Sequence, residues 1–291
     1  MSAEKKRFPA PIKLSDRTLT TKRPAYIMSI VNCTPDSFWE KSRSYSPSHA
    51  AEVSLEHFEN GADIVDIGGE SSRPGADYVG ADEQIKRIVP VIEQIRRHST
   101  GAVSVDTRLL SVMQAARQAG ADILNDISAL EDDTGLATFA AAEKIPVILM
   151  HKRGTPLIMQ RNTDYTDVVH EVGAYLCKRI RFALSQGIFA DNIIADPGIG
   201  FGKDAQANIS LIRSGRELAC SIEKQAGCKI RLLMGLSRKS LIGTLTGKDT
   251  AERLSGSLAA NLIAVQNGYE ILRVHDTAQT ADMLNVLNAF I

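Results

Sequence analysis

Eight short apolar runs recur along this chain: AYIMSIVN (25–32), ADIVDIGG (62–69), AVSVDT (102–107), ADILND (121–126), IPVILMH (145–151), NIIADPG (192–198), IRLLMG (230–235) and YEILRVHD (269–276). Each is too short for a helix of its own and rich in Ile, Val and Leu, the make-up of a strand buried on both faces. Helical periods fill the intervals. Ile85, Ile88, Val89, Ile92 and Ile95 form one stripe, Val168, Val169, Val172, Leu176 and Ile180 a second, and Leu254, Leu258, Leu262 and Val265 a third. Pro90 lies within the first stripe and is expected to kink or limit that helix. Glycine stands before the next strand in NGAD (60–63), AGAD (119–122), SQGI (185–188) and QNGY (266–269), where it supplies the left-handed residue that stops a helix. Strand and helix in alternation specify a parallel sheet with right-handed crossovers, and eight such units close most economically into an α/β fold, the (β/α)8 barrel. An open doubly wound sheet is the alternative, but no GxGxxG follows the first strand.

The chain has 291 residues, and barrels of this kind commonly run to roughly 250 residues as one domain. Residues 25–291 are therefore read as the barrel domain and 1–24 as an N-terminal extension. Lys+Arg and Asp+Glu both total 34, a net charge of zero, which argues against a broad nucleic-acid or membrane surface. No apolar signal segment opens the chain and no run is long enough to span a bilayer. Cys33, Cys177, Cys220 and Cys228 form no CxxC pair and no zinc-ligand cluster, so reduced thiols in a cytoplasm are expected.

Polar residues gather at the C-terminal ends of the strands: Asn32, Glu70, Asp106, Asn125, Asp126, His151, Asp196, Arg273 and His275. A barrel core is apolar, so these belong at the mouth, where barrel sites are built. Asp106, Asn125 and Asp196 end three different strands, and carboxylates beside an amide suit a flat heterocycle that presents several N–H donors and a carbonyl. One such residue alone is as well read as a helix cap or turn former; three at equivalent ends are not. GLSRKSLIG (235–243) and RVHD (273–276) follow the last two strands, where barrels frequently bind phosphate, so Arg238, Lys239, Arg273 and His275 are expected to join a helix N-terminus at Ser240 in an anion site. GGESSRPG (68–75) forms a sharply shaped loop with Arg73 at its tip. DPGIGFGK (196–203) allows close backbone approach and leaves Phe201 able to stack. His49, His57, His98 and His170 read as surface or interface residues; His151, behind Met150, is ambiguous.

Together these segments resemble the dihydropteroate synthase family. IVNCTPDSF, ADIVDIGGESSRPG, SVDT, ADILNDIS, PVILMH, IIADPGIGFGK, GLSRKS and RVHD occur in the family's order from about residue 25 to the end. The resemblance implies a TIM barrel, usually a homodimer, in folate biosynthesis, a sulfonamide target that joins p-aminobenzoate to 7,8-dihydropterin-6-ylmethyl diphosphate and releases diphosphate. It implies pterin contacts at Asp106, Asn125, Asp196, Gly235 and Lys239, with Arg273 stacked on the ring and Met150 and Phe201 beside it. Asn32, Arg273 and His275 are matched to the diphosphate, and the Asn32 oxygen to a magnesium ion, Mg2+. Ser240 is matched to the aminobenzoate carboxylate, and Phe38, Ser72, Arg73, Pro74 and Phe201 to the surroundings of its ring. Asp106, Asp196, Lys239, Arg273 and His275 are the expected catalytic set.

The chain departs from the family in its first loop. NCTPDSFWEKSR replaces the usual double glycine with Lys41 and Ser42, keeps an acid at Glu40 and carries Trp39 directly after Phe38. This loop is expected to act as a lid that buries Phe38 over aminobenzoate. Pterin-dependent methyltransferase barrels also hold a pterin with strand-end Asp and Asn, but they need neither SRKS nor RVHD. A non-catalytic pterin-binding relative would be expected to lose the GGESSRPG or SRKS loop; both are intact.

Overall fold

The computed structural model describes residues 8–34, 46–71, 75–154, 159 and 162–291. Eight strands of the parallel sheet are β3 (Tyr26–Asn32), β4 (Ile64–Gly68), β5 (Ala102–Asp106), β6 (Ile123–Asp126), β7 (Val147–Met150), β8 (Ile193–Asp196), β9 (Arg231–Met234) and β10 (Ile271–Val274). They pair in sequence order, and β10 pairs with β3 to close the barrel. The eight apolar runs are these eight strands, each trimmed at one or both ends.

Helices α1 (Pro47–Glu59), α2 (Ala81–His98), α3 (Leu110–Gln118), α4 (Gly135–Glu143) and α5 (Val168–Ser185) each cross between consecutive strands. Two pairs, α6 (Ala205–Arg213) with α7 (Gly215–Ala226) and α8 (Ser240–Thr246) with α9 (Leu254–Gln266), fill the next two crossovers, and α10 (Thr277–Ala289) ends the fold. Local chemistry sets several boundaries. Asp167 and Asp204 cap α5 and α6 by accepting from the His170 and Ala207 backbone N–H. Gly61, Gly120, Gly187 and Gly268 take φ values of +97, +111, +92 and +96° after their helices, as the sequence pattern requires.

Two helices refine the expectation. Helix α2 continues through Pro90 to His98, so the proline does not end it. Helix α9 buries Ser257, Asn261 and Ala264, while Leu254, Leu258, Leu262 and Val265 are only partly covered. The leucine stripe identified the helix but not the face it turns inward, because small residues let this helix approach its neighbours closely.

Strand alternation divides the core in two. Outward side chains such as Val65, Val103, Leu124, Leu149 and Leu232 pack under the helices. Inward side chains Met28, Ile64, Ala102, Ile123, Ile148, Ile194, Leu233 and Ile271 form a separate apolar layer. Ile12 and Leu14 join that layer from a hairpin of β1 (Ile12–Lys13) and β2 (Thr18–Leu19), which plugs the N-terminal end of the barrel. Tyr26 Oη donates to the Ala10 carbonyl at 3.1 Å and Arg231 to the Pro11 carbonyl at 2.6 Å, fixing the plug. Burying a side chain such as Ile12 contributes about 1.5–3 kcal/mol.

Candidate active site

Two residues further along each strand, the same alternation turns a different set inward: Ile30, Asp66, Ser104, Asn125, Met150, Asp196, Gly235 and Arg273. One register row higher, Asn32, Gly68, Asp106 and Asn125 lie side by side across four strands. The apolar layer is the floor of a polar pocket. Gly68 brings its neighbours together: a Cβ there would lie 3.5 Å from the Asp106 Cβ and 3.8 Å from the Asn32 Oδ1.

Arg273 organises one side. Its Nε donates to Asp66 Oδ2 at 2.6 Å and its Nη2 to Asp106 Oδ2 at 2.7 Å. Asn125 Nδ2 donates to the same Asp66 oxygen at 3.0 Å. Two carboxylates thus share one guanidinium. Burial pushes the Asp106 carboxyl up to about 7, against the pull of Arg273 and with repulsion from Asp66 adding to it. Arg273 is held protonated by these two acids. Sequence reasoning missed Asp66. The signal was present: a lone acid inside an apolar strand, two residues after Ile64 and so in phase with the pocket.

The other side is built on the loop after β8. Asp196 Oδ1 accepts from the Gly198 N–H at 2.7 Å, and burial raises its carboxyl while Lys239 opposes the shift. Lys239 Nζ donates to the Ile199 carbonyl at 2.5 Å and lies 4.7 Å from the centre of the Phe201 ring; burial brings its pKa down to about 8. Gly235 leaves room between these groups, since a Cβ there would lie 3.9 Å from Asp196 Oδ2 and 4.0 Å from Lys239 Nζ. Met150 and Phe201 pack with Ile127 and Met159 as an apolar wall.

Lys203 supports this loop from below. Its buried ammonium donates to the Gly198 and Phe201 carbonyls at 2.9 and 3.0 Å and faces His151 Nδ1 at 2.9 Å. His151 is neutral, pushed down to about 2 by burial and by Lys203, and its ring meets Tyr175 edge-on. The ambiguous histidine is therefore an acceptor that braces the loop. Gly198 is required here, at φ +67° with the His151 carbonyl where a Cβ would go.

Around the expected anion site, α8 begins at Ser240, which is exposed, and His275 lies against Ser237, whose Oγ is 3.2 Å from both its backbone N–H and Nδ1. Arg238 does not join them as expected. It forms a two-pronged ion pair with Asp276 at 2.9 and 2.5 Å, which neutralises its charge and holds the turn where its φ is +55°. Phe38, Ser72, Arg73 and Pro74, with Trp39, lie outside the described residues.

Other strand-end acids do structural work. Asp126 accepts from the Ser128 N–H, the Ser128 hydroxyl and the Leu130 N–H, each at 2.7 Å. Arg179 closes the same turn through the Ala129 and Leu130 carbonyls. Glu70 accepts from Val79 N–H and faces Arg108 at 3.4 Å. His57, read as a surface or interface residue, is partly buried at an interface and bonds Thr277 Oγ1 at 2.8 Å, tying α1 to α10. Among the described residues no group of three His, Cys, Asp or Glu side chains could hold a metal ion, and no helix is long and apolar enough to cross a membrane. Among the described residues no disulfide joins any of the four cysteines.

The family model of pterin-binding enzymes matches residues 28–275. The dihydropteroate synthase of Haemophilus influenzae is 44% identical over 263 residues, covering 90% of this chain and 93% of its own. The solved dihydropteroate synthase of Xanthomonas albilineans with 4-aminobenzoic acid superposes with a TM-score of 0.87 at 40% identity, over 96% of this chain and 97% of that one. The same enzyme in complex with 7,8-dihydropteroate gives a TM-score of 0.84 at 37% identity, over 97% and 98%. An eight-stranded barrel, a polar layer of acids and cations above an apolar floor, and similarity along nearly the whole length place the chain in the family of pterin-binding enzymes, among the dihydropteroate synthases, which are transferases.

Proposed function

We propose that this enzyme condenses 7,8-dihydropterin-6-ylmethyl diphosphate with p-aminobenzoate to give 7,8-dihydropteroate and diphosphate, by a dissociative substitution. The observation that carries the reading is the gap at Gly235, bordered by Asp196, Lys239 and Arg273, with Asn125 and Asp106 across it. Oxygens of Asp106, Asn125 and Asp196 suit the N–H edge of a pterin, and Lys239 suits its carbonyl. The Arg273 plane, held by two carboxylates, suits the ring's face.

In this mechanism the C–O bond of the pterin methylene breaks first, and diphosphate leaves with the electron pair. The resulting cation is delocalised into the pterin. Asp106 and Asp196 stabilise it as buried carboxylates that need no reorganisation, while Arg273 and His275 stabilise the departing anion. The aminobenzoate nitrogen then donates its lone pair to the methylene carbon and releases a proton. The neutral amine is already nucleophilic, so no strong base is required. Ser240, at the start of α8, is assigned to the aminobenzoate carboxylate, with Phe201 beside its ring.

A single amide oxygen at Asn32 and the absence of a three-ligand cluster among the described residues fit Mg2+ that arrives with the diphosphate rather than a resident metal. Such an ion would supply charge neutralisation of the leaving group. Homodimer formation is supported by Leu245 and Ile263, 58% and 44% exposed on the adjoining helices α8 and α9. Zero net charge and cysteines that form no disulfide among the described residues support a cytoplasmic setting.

The test is release of diphosphate from the purified enzyme with both substrates and Mg2+, alongside Asn32→Ala with diphosphate affinity measured by calorimetry. Tight pterin binding without any diphosphate release refutes the synthase reading. Equal Mg2+-dependent diphosphate affinity in Asn32→Ala refutes the metal assignment.

A further inference from the structure

We infer that Asp66 is a positioning residue of the pterin pocket: one buried carboxylate that sets both the acceptor edge of Asn125 and the plane of Arg273. The inference rests on the pterin reading of the pocket and deepens it.

Asp66 is the third residue of β4 and has no exposed surface. Within the described residues, its hydrogen bonds come from pocket residues alone. Oδ2 accepts from both Asn125 Nδ2 and Arg273 Nε. Among the described residues Oδ1 is buried with no partner, as is Oγ of Ser104, its register partner on β5.

The two bonds act differently. An amide has a donor end and an acceptor end. With Nδ2 committed to Asp66, the Asn125 Oδ1 is the end left for a ligand; the reversed amide would set oxygen against carboxylate oxygen. This selects a heterocycle that presents an N–H to Asn125. For Arg273, Nε is tied to β4 through Asp66 and Nη2 to β5 through Asp106. Two anchors along one edge of a planar group fix its plane, whereas one anchor leaves it free to swing. Burying a carboxylate in an apolar barrel is costly, and a well-packed apolar residue often serves stability equally well. The placement of Asp66 therefore serves the site rather than the fold.

The geometry makes the experiment selective. In Asp66→Asn the amide oxygen can occupy the shared position and still accept both bonds without the charge. Asp66→Ala removes the bonds as well. Steady-state kinetics for both substrates are measured on each variant, with 6-hydroxymethylpterin binding followed by its fluorescence. Asp66→Ala is expected to raise the pterin diphosphate KM at least about tenfold and lower kcat, with the aminobenzoate KM within about threefold, since a displacement of ~1 Å at a reacting centre is that costly. Asp66→Asn is expected to shift the same constants in the same direction by less. In an Asn125→Ala, Arg273→Ala background, removing Asp66 is expected to cost little more, because the residues it acts through are gone. A pterin KM and affinity within twofold of the parent in either folded variant overturns the inference, as does a full additive loss in that background. If Asp66→Ala fails to fold, the Asp66→Asn constants decide by the same criterion. Absence of diphosphate release by the parent enzyme would instead count against the proposed function.

Discussion

The two ends of the barrel are built from the same strands and the same alternation, yet they do opposite things. At the floor, Ile64, Ile123, Ile148, Ile194 and Ile271 point inward and Ile12 seals them from the N-terminal side. Two residues further on, the inward positions are Asp66, Asn125, Met150, Asp196 and Arg273. The first layer gains stability by excluding water. The second places buried charges that oppose folding unless they are paired, and pairs them only in part. Burial of Asp106, Asp196, Lys203 and Lys239 shifts each toward its neutral form. That is the mark of a site organised for a ligand rather than for stability.

The contrast can be broken from either end. Ile12→Ala should have the largest effect, lowering stability by about 2–5 kcal/mol through a cavity in the floor, while kcat and both KM values of the folded enzyme stay unchanged. Denaturant unfolding with parallel kinetics checks this, and a matching loss of kcat would show that the ends are coupled. Asp196→Asn should do the reverse, raising the barrier to turnover by about 2–4 kcal/mol if it stabilises the developing cation, with no loss of melting temperature. Wild-type turnover in that variant removes Asp196 from the mechanism.

A smaller effect is expected at Gly235→Ala. The new methyl makes ordinary contacts with Asp196 and Lys239, so the fold should be kept, but it enters the ligand's space. The pterin KM should rise about tenfold, equivalent to ~1.4 kcal/mol, with the aminobenzoate KM unaltered. An unchanged pterin KM would move the ligand away from this gap.

The smallest effect concerns pH. The Asp106 carboxyl is raised from 3.8 to about 7 on folding, so between those values the unfolded chain gives up this proton while the folded protein holds it. Its contribution to stability is therefore greatest at the acid end of that window and is lost as pH rises through 7. Asp106→Asn should accordingly raise the melting temperature at pH 8 by about 2–4 °C for each kcal/mol relieved while lowering activity. For the active enzyme, kcat/KM for the pterin should fall below about pH 7 as Asp106 protonates and above about pH 8 as Lys239 loses its proton. Lys239→Arg should move the alkaline limb upward; a limb that stays in place assigns it elsewhere.

Particular residues show how far the amino-acid order could be read. Asp106, Asn125 and Asp196 were legible because each ends an apolar run, where strand direction alone puts it at the mouth. Asp66 was not, because a mid-strand acid looks like an interruption until its Arg273 counter-ion, 207 positions away in sequence, is brought beside it. Arg238 was misjudged for the same reason: its nearness to Lys239 in sequence suggested a shared anion site, but Asp276 claims it across the gap between β9 and β10. Asp126 and His151 share the strand-end signature of the pocket residues and are spent on bracing a turn and a loop.

The sequence by itself determined the alternation of strand and helix, the closure into eight units and the strand ends from which a site could be drawn, since periodicity and glycine stops act within a few residues. Only the tertiary structure decided which charges meet, which face of α9 turns inward, and that residues 12–14 complete the floor. Those outcomes depend on contacts between distant segments, where pairing, desolvation and close packing are settled by three-dimensional neighbours.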